Sequence, residues 1–131
     1  MKLITKAMAA PLIAAYDHSA KTGEGGKKVL AKFFTPWAGA SWFITEGMPV
    51  TEDGTPVAKD FHEFATDHAD KYDWHLFGWC DLGHGEGMAE LGYVMLSELK
   101  ALKGPGGLGV ERDLHYSGEL ADIIPWMKKA A

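Results

Sequence analysis

Residues 90–116, ELGYVMLSELKALKGPGGLGVERDLHY, contain most of the residues in this chain whose types and spacing could do chemistry. Ser97 and Lys100 have the S-x-x-K spacing of a catalytic serine with a lysine on the same helix face. The S-D-N motif that accompanies such a serine does not occur in the chain. A serine before a short helix is also a common N-cap. We therefore interpret Ser97 as the cap of a helix that Gly104 ends.

Two glycine-rich segments have the composition of phosphate-binding loops. Gly83, Gly85 and Gly87 follow a predicted strand, and the segment GPGGLG follows a predicted helix. A phosphate-binding loop opens directly into a helix whose amide groups face the phosphate. A strand follows the first segment, and no Lys-Ser/Thr pair closes the second. Both segments are therefore predicted to be turns.

The histidines and the single cysteine do not form a recognisable metal motif. No H-E-x-x-H occurs among the six histidines, and Cys80 has no C-x-x-C partner. His84 with Asp81 and Glu86 is the one candidate zinc site left open by spacing. Cys80 lies in the apolar run WHLFGWC, which favours a buried and unreactive thiol. We predict no metal and no cofactor.

Arg112 lies on a predicted strand, on a face that is otherwise apolar. A guanidinium in such a place needs a carboxylate partner. The candidates at the ends of other strands are Glu46, Asp81 and Glu90. Two interpretations stay open: a structural ion pair, or a ligand pocket that also includes Tyr93 and His115.

The charge of the chain is concentrated in its middle third. The net charge is −5, but residues 46–90 contain eleven acidic residues and only Lys59 and Lys71 as bases. A predicted helix carries four of these acids on one face: Glu63, Asp67, Asp70 and Asp73. Such a face is either a solvated surface or a binding surface for a basic protein, and it would repel nucleic acid.

A smaller set of residues favours nucleic acid. Trp37 follows a threonine-proline turn, where an exposed indole could stack on a base. The first strand and the loop before it contain three lysines, which could contact phosphates: Lys27, Lys28 and Lys32.

Apolar periodicity and turn residues predict the elements that position these side chains. A helix begins at Lys6 after Thr5 and breaks at Pro11. Phe61 and Phe64 begin an apolar stripe on the acidic helix. The strands are predicted from five apolar segments: KVLAKFFTPW, ASWFITE, WHLFGWCDL, LGYVML and VERDLHY. We expect one α+β domain, residues 1–131, with a mainly antiparallel sheet of about five strands and helices packed on one side.

The segments KFFTPWAGASWFITE, FGWCDLGHGEGMAELGYVMLSEL and GPGGLGVERDLHY, opened by MKLITK, resemble one family of small proteins from plasmids, phages and integrative elements. That family is known only as a domain of unknown function. The resemblance implies a setting near antirestriction, methylation and DNA-processing genes, and it carries no catalytic residues. Family members are usually shorter over residues 49–73, so we interpret this segment as an insertion of this lineage.

These observations favour a non-catalytic accessory or counter-defence protein of a mobile element, which binds a host or element protein. The alternatives are a nucleic-acid-binding accessory protein and a small hydrolase that depends on a metal or on carboxylates. No apolar run reaches the roughly 20 residues that a membrane-spanning helix needs. One cysteine excludes a disulfide within the chain, so we expect a cytoplasmic protein.

Overall fold

A computed structural model describes residues 2–83 and 88–129 of the chain. The regular elements, in chain order, are α1 (Lys6–Thr22), β1 (Ala31–Phe34), β2 (Ser41–Val50), α2 (His62–Asp67), β3 (Asp73–Asp81), β4 (Glu90–Met95), α3 (Leu96–Ala101), β5 (Glu111–Arg112) and α4 (Pro125–Lys129). Short 3₁₀ turns cover Lys59–Phe61, Ala69–Lys71, Pro105–Gly107 and Leu120–Asp122.

The five strands form one antiparallel sheet in the order β4-β3-β2-β1-β5. β1 and β2 are a hairpin in which Phe33 lies opposite Trp42, as the short connection between them predicts. The prediction of an α+β domain with about five mainly antiparallel strands is confirmed. The two edges are unequal, since β4 has six residues and β5 has two.

β2 is longer than the sequence pattern predicts. It continues through Met48, Pro49 and Val50, beyond the predicted strand segment ASWFITE, which ends at Glu46. These three residues are buried and lie opposite β3, so tertiary pairing overrides the local turn-forming composition. A bulge at Thr45 shifts the register between β2 and β3.

Two clusters of apolar side chains pack against the sheet. The main cluster contains Trp42 and Trp74 from the sheet, with Leu12 from α1 and Leu99 from α3. A smaller cluster packs Leu120 and Ile124 of the C-terminal segment against two sheet residues, Phe43 and Trp79. Phe43 and Trp79 are register partners, so they share the face opposite to that of Trp42. The C-terminal segment therefore adds a second apolar layer to the predicted arrangement.

The N-terminal helix α1 is continuous, and the predicted break at Pro11 is wrong. Pro11 is exposed in the interior of the helix, where its ring removes one backbone hydrogen bond. Ala9, Leu12 and Ile13 on either side of it are buried, and α1 packs against β2. This burial offsets the lost bond. Thr5 precedes the helix as predicted, without a side-chain capping bond.

Within the described residues, no helix is both long and apolar enough to cross a membrane.

Candidate protein-binding surface

The predicted acidic stripe is largely engaged within the molecule. Asp67 forms an ion pair with Lys6 at 3.0 Å, and Asp70 forms one with Lys2 at 3.4 Å. The hydrogen bond and charge of Lys2 lower the pKa of Asp70. Both pairs are exposed, so each contributes little to stability, but they neutralise two of the four acids.

Asp73, the last acid of the stripe, has a structural role. Its Oδ1 accepts hydrogen bonds from the backbone N–H groups of Trp74 and Ser97, both at 2.9 Å. Its Oδ2 accepts the hydroxyl of Ser97 at 2.7 Å. Asp67, Asp70 and Asp73 therefore do not form a free acidic face.

The apolar stripe predicted on the same helix lies in solvent. Phe61 is 61% exposed and Phe64 is 54% exposed, and the ring of Phe64 stacks on that of His68 at 4.1 Å. The predicted apolar stripe therefore does not face the core at Phe61 and Phe64. Apolar spacing of three residues defines one face of a helix, but here Ala65 is the residue that α2 buries.

Hydrogen bonds at both ends hold the helical segment that carries the two phenylalanines. The Nε2 atom of His62 lies 2.9 Å from the carbonyl oxygen of Val57. After α2, the indole N–H of Trp74 donates to the carbonyl oxygen of Ala69 at 3.0 Å in the buried core. The exposed rings therefore belong to a segment that hydrogen bonds fix at both of its ends.

Exposed acids lie close to these rings in the sequence. Asp60 and Glu63 flank them in sequence, and both are exposed, as is Lys59. The preceding turn presents Glu52 and Asp53, which are also exposed. Hydrogen bonds from Thr51 and Thr55 lower the pKa of Asp53, so it is charged at neutral pH. We call Asp60, Phe61, Glu63 and Phe64 the Phe61–Phe64 surface; Glu63 is the one predicted site residue within it.

Arg112 and Tyr93 do not line one pocket, so the second interpretation of Arg112 is wrong. Arg112 is on β5 and Tyr93 is on β4, at opposite edges of the sheet. Sequence patterns do not determine strand order, so they could not exclude a pocket that contains both Arg112 and Tyr93. The guanidinium of Arg112 donates to the carbonyl oxygen of Lys2 at 3.1 Å and contacts the sulfur of Met8 at 3.3 Å. His115 is exposed, and its N–H donates to Asp113.

Tyr93 belongs to a different group of rings. It is 63% exposed and stacks on His75 at 4.4 Å, and Phe77 lies 4.9 Å away. Tyr16 of α1 meets the other side of this group, with its ring 6.3 Å from that of His75. The sequence pattern did not single out this group, because its members come from three separate elements.

Glu46, a proposed partner of Arg112, is buried beside α1 instead. Its carboxyl group accepts hydrogen bonds from Ser19 and from the backbone of Gly26. Burial is the largest influence on this carboxyl group and raises its pKa despite those bonds.

Of the residues predicted to contact nucleic acid, Trp37 and Lys32 are packed in the structure, whereas Lys27 and Lys28 are exposed. Trp37 is half-buried against the main core, and its ring covers Gly104 so closely that a Cβ atom there would overlap it. Gly104 is therefore a site of close approach, and the prediction that it ends α3 is wrong, since that helix ends at Ala101. Lys32 forms an ion pair with Asp113 at 3.6 Å. Its ammonium also lies 5.3 Å from two ring centroids, those of Phe43 and Tyr116.

The motifs that suggested catalysis have structural explanations. Ser97 is inside α3, which is preceded by Met95, so Ser97 is not the N-cap that we predicted. K-T-G, another motif that accompanies a catalytic S-x-x-K serine, occurs at residues 21–23, where it forms the end of α1 and its left-handed glycine cap. GPGGLG forms a 3₁₀ turn, as predicted.

Cys80 is half-buried, and burial raises the pKa of its thiol to about 11, so the unreactive thiol that we predicted fits its environment.

Within residues 2–83 and 88–129, no group of three His, Cys, Asp or Glu could hold a metal ion. The candidate zinc site lies partly outside that range, since His84 and Glu86 are not described, and neither are Gly85 and Gly87.

Residues 50–131, more than half of the chain, match a family described as proteins of unknown function, DUF2958. The N-terminal segments MKLITK and KFFTPW lie before the matched residues. No curated protein and no solved structure matches the chain.

Proposed function

The chain belongs to this family of unknown function, and we propose that it is a non-catalytic binding protein that contacts a protein partner through the Phe61–Phe64 surface. One observation carries this proposal. Two phenylalanines, three residues apart on an anchored helical turn, are more than half exposed. Solvent exposure of two large aromatic side chains has a cost that burial against a partner would remove.

The surroundings of the two rings indicate the chemistry of the partner. Aromatic anchors at a binding interface fill apolar pockets, and charged residues at its rim select the partner. Asp60 and Glu63 are the exposed acids beside the two rings in the sequence. The partner would therefore offer an apolar groove bordered by lysine or arginine residues. A short helix laid into a groove is a common mode of protein recognition.

The resemblance to proteins of plasmids, phages and integrative elements supports a more specific proposal. In such a setting, a small binding protein without a catalytic site would act as an accessory or counter-defence protein. It would do so in the cytoplasm, by occupying a surface of a host or element protein. The acidic surroundings of the rings would also keep the protein away from nucleic acid.

The structure offers less for the two alternatives. The ammonium of Lys32 and the indole of Trp37, which a nucleic-acid binder would use, make contacts inside the molecule. Lys27 and Lys28 are exposed, but the indole of Trp37, which would stack on a base, is half-buried. For a metal-dependent hydrolase, no group of three His, Cys, Asp or Glu within the described residues could hold a metal ion.

The proposal is tested with the double variant Phe61→Ala/Phe64→Ala. We expect the wild-type protein to retain one stoichiometric partner from host lysate. The purified partner should bind the double variant at least about tenfold more weakly in calorimetry, since aromatic anchors carry much of an interface's binding energy. The control is Leu114→Ala, which truncates an apolar side chain that is equally exposed, at 61%, elsewhere. Undiminished binding by the double variant would disprove the proposal.

The role of charge is tested separately with Asp60→Asn/Glu63→Gln. We expect weaker binding and a smaller dependence on salt, because fewer charges face the basic rim. Asp67, Asp70 and Asp73 are less suitable for this test, since neutralising them would also remove contacts within the molecule. Equal binding and an equal salt dependence would show that the acids do not take part.

A further inference from the structure

The two edges of the sheet are protected to different degrees. β5 consists of Glu111 and Arg112 alone, and the next residue, Asp113, still donates its backbone N–H to the carbonyl oxygen of Lys32 of β1. A very short, charged edge strand resists pairing with other strands. β4 contains six residues, ELGYVM, without a lysine, an arginine or a proline. Among the described residues, no strand lies outside it.

The hydrogen bonds of the inner strands show which backbone groups of β4 face outward. The carbonyl oxygen of Phe77 accepts the hydroxyl of Thr45 on the β2 side. Backbone groups alternate in direction along a strand, so those of its neighbours in β3 face β4. Their register partners in β4 are Gly92 and Val94. The N–H and C=O groups of Leu91 and Tyr93, which alternate with these, therefore point away from the sheet.

The same two residues expose their side chains. Tyr93 is 63% exposed and Leu91 is 37% exposed, and both lie on one face of β4. An outward backbone and an exposed apolar side chain at the same two positions favour an added strand as the occupant. This edge is separate from the Phe61–Phe64 surface.

We infer that the occupant is a second copy of this chain, and that two β4 strands pair antiparallel about a twofold axis at Gly92. In this register, Leu91 lies opposite Tyr93 of the other copy, so both outward pairs exchange backbone hydrogen bonds. The side chain of Leu91 in each copy packs beside that of Tyr93 in the other copy, so this contact forms twice in the dimer. Glu90 lies opposite Val94 of the other copy, so no like charges meet.

The neighbouring register, centred on Tyr93, is less favourable. It would place Leu91 opposite Met95 of the other copy. The N–H of Met95 already donates to the Oε1 atom of Glu98 at 3.0 Å, so two intermolecular bonds would be lost. Gly92 at the axis also permits close approach, since a Cβ atom there would meet nothing within 4 Å. Pairing of the two copies extends the sheet to ten strands and is independent of the proposed function.

The oligomeric state of the full chain tests this inference. Light scattering after size exclusion, from about 1 to 100 µM protein, should show a concentration-dependent shift to twice the monomer mass. Leu91→Lys places a charge beside the paired edge and should raise the dissociation constant at least tenfold. Leu114→Lys is the control at an exposed apolar site elsewhere. Circular dichroism should show both variants folded. A monomer at every concentration would overturn the inference.

Crosslinking tests the register. Gly92→Cys, in a Cys80→Ser background, places two thiols opposite each other at a non-hydrogen-bonded pair, within reach of a disulfide. Mild oxidation should give a covalent dimer in high yield, and Leu114→Cys in the same background should give little. A dimer that Leu91→Lys does not weaken, or that Gly92→Cys does not crosslink, would place the interface elsewhere and overturn the assignment to β4.

Discussion

Asp73 caps a helix that begins far along the chain from it. Its two carboxylate oxygens accept the backbone N–H and the hydroxyl of Ser97, which is 24 residues away in sequence. Ser97 is in the first turn of α3, where backbone N–H groups lack partners within the helix. The start of β3 and the start of α3 are thereby joined. Asp73, which the sequence pattern assigned to a surface stripe, therefore caps a helix that is distant in sequence.

Replacing Asp73 should therefore destabilise the fold. We expect Asp73→Ala to lower the free energy of unfolding by about 1–2 kcal/mol, the usual effect of losing a helix cap. Ser97→Ala removes only the hydroxyl bond and should cost about half as much. Urea titration measures both. The control is Asp70→Asn, which breaks an exposed ion pair with Lys2 and should have little effect. Equal stability of Asp73→Ala and the wild type would contradict the capping role.

Gly104 should not tolerate a larger residue. A Cβ atom at this position would overlap the indole ring of Trp37, so Gly104→Ala must displace that ring from the core. We expect a loss of about 1–3 kcal/mol, as for other overpacked sites, and a red shift of tryptophan emission. Gly109→Ala is the matched control, because a Cβ atom there would come no closer than 3.6 Å to a neighbouring atom, the Nζ atom of Lys103. Unchanged stability of Gly104→Ala would mean that Trp37 does not pack on this glycine.

Local sequence patterns predicted the secondary-structure elements of this fold better than the long-range contacts between them. Alternating apolar runs predicted β1, β3 and β4, and the short link after Trp37 predicted the first hairpin. These features depend on neighbours in sequence. The end of β2 was missed because Met48 to Val50 gain their strand conformation from pairing with β3.

The candidate site depended on contacts that local patterns do not contain. The spacing of Phe61 and Phe64 identifies a helix face but not whether that face meets the core or solvent. Likewise, nothing local places Arg112 and Tyr93 at opposite edges of the sheet, or joins Asp67 to Lys6. Strand order and long-range ion pairs are set by the whole fold, so the exposure of Phe61 and Phe64 became visible only in the structure.

Cys80 should react slowly in the folded protein. Burial raises the pKa of its thiol to about 11, so at pH 8 only about one thiol in a thousand is ionised. Because the thiolate is the reactive form, we expect alkylation by iodoacetamide at pH 8 to be at least tenfold slower than in urea. Leu114→Cys supplies an exposed thiol for comparison in the same protein. Equal rates at the two positions would show that Cys80 is accessible and ionised.

Glu46 should make stability fall as the pH rises. Burial raises the pKa of Glu46 in the folded protein above its unfolded value, so the folded state binds the proton more tightly. The stabilisation from this proton is complete below the unfolded pKa of about 4.3 and is lost as the pH rises through the folded pKa. Ser19 and Gly26 donate hydrogen bonds to Glu46, and Tyr16 lies close enough for its pKa to be raised in part by the charge of Glu46.

Glu46→Gln tests this linkage, because glutamine keeps the shape of the side chain without its charge. We expect the variant to be more stable than the wild type at pH 7, and the difference to shrink as the pH falls toward 4. Thermal unfolding across this range measures the difference. Glu24→Gln removes an exposed carboxylate and should not change the pH dependence. A Glu46→Gln variant that is less stable than the wild type at pH 7 would mean that its hydrogen bonds outweigh the cost of burying its charge.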